Sequence, residues 1–163
     1  MKKTLNFAFI ALIFAFVFTE ASYSQRMVDY TWDSYHVKFQ ITSTCKVDKN
    51  NTDEFGAGDD DVYLSIYPKK GDPMTFGRMK AALEDWALDS KVYGYDYVHE
   101  MENLNGYWGV YIDGKNGSND LPATLLLLVH PDYASTKLYI WINYRSSAFD
   151  TALKMLKSFT PMY

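Results

Sequence analysis

Four aromatic side chains, set at period two on two separate apolar runs, are the residues of this chain best placed to do chemistry: Tyr63 and Tyr67 in one run, Tyr139 and Trp141 in the other. Alternate residues of an extended strand share a face. Each pair therefore projects opposite an aliphatic set, Val62, Leu64 and Ile66 in the first run and Leu138, Ile140 and Ile142 in the second. A sheet face of tyrosine and tryptophan offers flat apolar rings with polar handles, suited to stacking on sugar rings or docking a peptide. The same four residues would serve as a second core layer if a helix covered each side of the sheet. Tyr107 and Tyr111, also at period two, are positioned to join one of these faces.

Other chemistry-bearing types are present without the spacing their chemistry needs. Asp48, Asn50, Asp53, Glu54 and Asp59-Asp60-Asp61 supply hard oxygens of the kind calcium takes. The register from Asp48 lacks a glycine at the sixth position and ends on Asp59 instead of glutamate, so 48–61 is read as a solvated acidic loop and no metal is expected. His99-Glu100 opens like a zincin but has no second histidine in place, and the three histidines lie 63 and 31 residues apart. No phosphate-binding glycine loop, dinucleotide fingerprint, G-x-S-x-G or C-x-x-C occurs, and no cofactor is expected. A carboxylate-dependent hydrolase would have to pair Glu100 or Glu102 with an aspartate such as Asp113, in a cleft that raises one pKa. Cys45, the single cysteine, is read as a small buried apolar residue. Asn50-Asn-Thr52 and Asn116-Gly-Ser118 match the N-glycosylation sequon.

The elements that must position these residues follow from periodicity. Tyr35–Ile41 alternates, with Val37, Phe39 and Ile41 on one side, and Asp61–Tyr67 alternates again; the two are expected to form a first antiparallel pair, with 46–61 as the loop between them. A helix follows, capped by Asp72 with Pro73 at its first position, burying Phe76, Met79, Leu83 and Trp86. Strands are expected over 95–103 and 107–113, joined at Asn105-Gly106. Residues 123–130 and 137–144 are apolar on both faces, which places them at the centre of a sheet covered on both sides. A closing helix starts at a Ser147-x-x-Asp150 capping box, buries Phe149, Ala152, Leu153, Leu156 and Phe159, and stops at Pro161. The order is α+β: an antiparallel sheet of about six strands packed by two helices, β-β-α-β-β-β-β-α.

The first 24 residues set the compartment. Lys2-Lys3 precedes an apolar run from Leu5 to Phe18, and Ser22 and Ser24 stand three and one positions before a cut ahead of Gln25. That pattern is a secretory signal peptide, and its 14-residue core falls short of the roughly 20 residues a bilayer-spanning helix needs. Residues 25–163 are then expected as one exported α+β domain, secreted or periplasmic, with no membrane span after cleavage and no lipidated cysteine at its start. Removing Lys2, Lys3 and Glu20 moves the formal net charge from −4 to −5. The remaining arginines, Arg26, Arg78 and Arg145, are scattered, so no basic stripe exists for nucleic acid.

Three segments together resemble the MOG1/PsbP-like group, which includes small exported DcrB-type proteins: the opening strand Tyr35–Ile41, the mid-chain helix ending Leu83-Glu-Asp-Trp86, and the closing Ala152–Phe159. The resemblance covers most of residues 25–163 through element order. It implies an accessory or binding protein without shared catalytic residues, and transfers no ligand set. The expectation is a non-enzymatic module whose partner is an unknown protein or envelope component. The alternative is a carbohydrate-binding protein using Tyr63, Tyr67, Tyr139 and Trp141.

Overall fold

A computed structural model describes residues 25–162; the signal peptide expected over 1–24 lies outside the described residues. Eleven strands and two α-helices follow in the order β1 (Met27–Trp32), β2 (Val37–Thr42), β3 (Lys46–Asn50), β4 (Phe55–Gly58), β5 (Val62–Lys70), α1 (Phe76–Asp89), β6 (Val92–Tyr93), β7 (His99–Leu104), β8 (Tyr107–Asn116), β9 (Pro122–Val129), β10 (Thr136–Tyr144), α2 (Phe149–Lys157) and β11 (Thr160–Pro161). All pairings between them are antiparallel. The α+β class is as expected, with more strands than the six that periodicity marks out.

The large sheet runs β3-β4-β5-β10-β9-β8-β6, with β7 also paired to β8. Its centre is β10 and β9, where Leu125, Leu127, Leu126 and Leu128 are all buried on alternate faces. That double burial is what their unbroken apolar runs require. Helix α1 covers one face, its Met79, Leu83 and Ala87 packing with Val110, Ile112, Leu125 and Leu127. The opposite face is covered by α2 and by a separate three-stranded sheet, β1-β2-β11. Phe39 of β2 meets Phe55 of β4 edge-on at 5.0 Å and stacks on Phe159 at 5.0 Å, which ties the small sheet and the end of α2 to the large sheet. Each such fully buried ring is worth about 1.5–3 kcal/mol in transfer alone.

Several local expectations change. Strands 35–41 and 61–67 do not pair: β2 pairs β1 and β11, while β5 pairs β4 and β10. The cause lies in 46–58, expected as a loop, which folds into the β3–β4 hairpin and takes the edge of β5. Its polar sequence is that of an exposed edge strand, all five β3 residues being exposed. Helix α1 starts at Phe76 after Thr75, not at Asp72-Pro73, because Gly71 and Met74 bond back to Ser135 and Ala134 and hold that stretch as a turn. The strand expected from Tyr95 begins at His99. No capping box forms at α2; residues 146–148 make a 3-10 turn and Ala148 stands at the cap. The Asn105-Gly106 hairpin forms as expected, with φ of 52° and 100° at the two turn residues.

Candidate functional site

The register of β5 and β10 sets Tyr139 directly opposite Tyr67, Trp141 opposite Ser65 and Asn143 opposite Tyr63. The four aromatic residues therefore share the face that α1 covers. Trp86 of α1 descends onto them, edge-on to Tyr139 at 5.1 Å, to Trp141 at 6.3 Å and to Tyr67 at 6.3 Å. Tyr139 is left 7% exposed, with Lys69 Nζ 4.7 Å from its ring centre. Burial pushes its phenol above the ordinary value. Tyr67 and Trp141 remain half-buried, and the Trp141 Nε1 donor is out of solvent with no acceptor among the described residues. Tyr107 and Tyr111 point the other way and pack into the opposite core.

Tyr63 is separated from this trio and has a distinct job. Its ring lies across the two glycines of β4: a Cβ at Gly58 would sit 2.4 Å from Tyr63 Cδ2, and one at Gly56 2.7 Å from Tyr63 Oη. The hydroxyl donates to both carboxylate oxygens of Asp48 at 2.9 Å. Partial burial, then the bonded and charged Asp48, pushes the Tyr63 pKa up to about 12.

Three of the acids of 48–61 are engaged in holding the hairpin. Asp48 takes the Tyr63 hydroxyl, Glu54 pairs with Lys49 at 2.8 Å, and Asp59 accepts from Thr44 Oγ1 and from the Asp61 and Val62 amides. Asn51 Oδ1 closes the tip by accepting from Asp53 and Glu54. Cys45 is half-buried, accepts from Thr42 Oγ1 at 3.1 Å, and has its thiol pKa pushed up by burial. Glu100 pairs with Lys80 of α1 at 2.7 Å, whereas Asp113 accepts from Thr124 Oγ1 at 2.5 Å on the other side of the sheet, so the fold does not bring those two carboxylates together. The second sequon is closed: Asn116 is 8% exposed and its amide donates to Asn143.

The concavity that periodicity did not reveal lies on the opposite face. A cavity of about 330 Å³ runs between α2 and the sheet, within the range of small-ligand sites. Met101 and Leu104 of β7, Tyr111 of β8 and Leu126 of β9 form its floor. Phe149, Ala152, Leu153 and Leu156 of α2 form its roof. One end holds Asp113, Thr124 and Tyr144; the other holds Lys157. Phe149 stands 49% exposed at the rim, 6.0 Å from Tyr144. Burial raises the pKa of both tyrosines; the Asp113 charge adds to this, and a hydrogen bond with Thr124 counters it at Tyr144. Beside the floor, His99 stacks on Tyr111 at 4.5 Å with Tyr97 on its far side at 4.3 Å.

The cavity exists because α2 is rotated from its expected phase. Met155 is fully buried, while Phe149 and Leu153, expected as core, are exposed and half-buried. The one legible signal was width: Phe149, Ala152, Leu153, Met155 and Leu156 make an apolar arc broader than a nine-residue helix needs for a single seat.

No family model matches the chain, and no curated protein matches it significantly. Among solved structures it is similar to the Saccharomyces cerevisiae Ran-binding protein Mog1p, with a TM-score of 0.57 at 6% identity over 85% of this chain and 97% of that one. It is also similar to a protein of Bacteroides thetaiotaomicron VPI-5482, with a TM-score of 0.53 at 10% identity over 83% of this chain and 48% of that one. This chain thus spans about half of the Bacteroides protein. The chain has a MOG1/PsbP-like fold, and at such identities the likeness is one of fold alone. No helix among the described residues is long and apolar enough to cross a membrane.

Proposed function

We propose that this chain is an exported, non-enzymatic binding module for an envelope component, and that it holds its ligand in the slot between α2 and the large sheet. The observation that carries this is the slot itself: a partly open apolar groove of about 330 Å³ with its polar groups at its ends, which is how small-ligand sites are built. Export rests on the charged start, apolar run and small residues of 1–24. The shared fold is compatible with binding, since Mog1p is described as a Ran-binding protein.

Residues 25–163, titrated with the neutral apolar dye N-phenyl-1-naphthylamine, should give saturable, blue-shifted fluorescence. Leu153→Trp from the roof and Met101→Trp from the floor should each remove it with circular dichroism unchanged. Dye fluorescence that never saturates, or that both folded variants retain, would remove the slot as the site. The export arm is read separately. Expressed with its leader in a bacterial host, the protein should appear outside the cytoplasm with Gln25 first, and retention of Lys2 and Lys3 in a membrane fraction would overturn it.

A carbohydrate reading keeps one specific support, the Trp141 Nε1 donor, which has no acceptor among the described residues and lies near the half-buried Tyr67 ring. Under it, Trp141→Phe would lose glycan-array binding and leave dye binding intact. Equal glycan binding by the two proteins would dismiss it.

A further inference from the structure

We propose that the ligand of this slot is a single-chain anionic amphiphile, with its hydrocarbon tail between α2 and β8 and its acidic head at Lys154 and Lys157. This rests on the slot being the binding site and adds the chemistry of what fills it.

The shape argues for one chain. Phe149, at the start of α2, meets Tyr144 at one end of the slot, and the Lys157 carbonyl at the other end accepts from Asn105 in the β7–β8 turn. The slot thus follows α2 from Phe149 to Lys157, about 12 Å at the helical rise. About 330 Å³ over that length is an elongated groove of a size that one hydrocarbon chain fills.

The charges give it direction. Leu153 and Lys157 also border a shallower depression on the neighbouring flank of α2, lined by Gln40, Asp150, Lys154 and Ser158, so that Lys154 stands one helical turn before Lys157 just outside the slot. Lys154 and Lys157 are exposed and form no ion pair among the described residues. Asp150 is the one acid lining that depression; it neighbours Lys154 four residues on, with no ion pair between them, and lies two turns before Lys157. At the far end Asp113 already accepts from Thr124, and its negative charge repels an acidic head. An anionic amphiphile is therefore held in one orientation, with its tail toward Asp113 and its head at the two lysines, where charge-assisted hydrogen bonds form. A cationic head would face one engaged carboxylate at one end and two unpaired ammonium groups at the other.

The test compares two chains of equal length, dodecanoate and dodecyltrimethylammonium, each below its micelle concentration at pH 8, by calorimetry on residues 25–163. Dodecanoate should bind saturably and more tightly than the cationic chain. K154E/K157E should weaken dodecanoate at least about ten-fold and strengthen the cationic chain, with folding checked by circular dichroism. Leu153→Trp and Met101→Trp should remove both. Tighter binding of the cationic chain, or dodecanoate binding unchanged in K154E/K157E, overturns the proposal. If neither chain binds while N-phenyl-1-naphthylamine still saturates, the amphiphile is wrong and the slot stands; if the dye fails as well, the site itself is wrong. Sedimentation with phosphatidylglycerol–phosphatidylcholine vesicles should leave the protein in the supernatant. Lysine-dependent pelleting without dodecanoate binding would assign the lysines to a membrane surface and overturn the proposal.

Discussion

Tyr63 shows how much of an aromatic side chain's role is set by its immediate neighbours. Its period-two position is visible in the sequence, but its ring is spent covering Gly56 and Gly58, an aromatic laid across glycines in the next strand. Its hydroxyl is spent on Asp48. With its pKa at about 12 against 10.0 for an unperturbed tyrosine, the folded state keeps the phenol proton where the unfolded chain has lost it. The contribution is complete below about pH 10 and is lost as pH rises through about 12. Denaturation curves from pH 9 to 12 should therefore fall more steeply for the wild type than for Tyr63→Phe. Parallel slopes would mean that Tyr63 titrates as a free phenol.

At the scale of elements, α2 decides the candidate site. An apolar arc wider than its seat can be placed in more than one phase, and a sequence alone leaves the choice open. Here Met155 and Ala152 take the core, while Phe149 and Leu153 are left over the cavity. Met155→Ala should cost about 2–5 kcal/mol in denaturant unfolding. Leu153→Ala, at a wall already facing empty space, should cost about 1 kcal/mol and act mainly on ligand binding. A reversal of these two costs would restore the phase in which Leu153 is core. The β3–β4 hairpin teaches the converse lesson. The polar residues of β3 read as loop, yet backbone pairing to β4 makes them strand, because an edge strand needs no apolar face of its own.

For the whole molecule, stability rests on joining two sheets and two helices without an internal disulfide, since Cys45 is the single cysteine. The junction is the ring cluster of Phe39, Phe55 and Phe159. Phe159→Ala should cost about 3–5 kcal/mol, and should loosen amide protection in β1, β2 and β11 ahead of the large sheet in hydrogen exchange. Uniform loss across both sheets would show that the small sheet has no stability of its own to lose.

The sequence by itself determined the α+β class, the doubly buried strands β9 and β10, the core face of α1 and the Asn105-Gly106 turn, because each is written in local periodicity or turn chemistry. Tertiary structure alone decided which strands pair. It set β2 into a second sheet, put the two helices on opposite faces, and so laid Trp86 over Tyr139 and Trp141. It also decided that α2 would leave a cavity above Tyr111 and Leu126. Period two says which residues share a face of a strand. It carries no information about which element, if any, comes to rest on that face, since that is fixed by contacts between residues far apart in the chain.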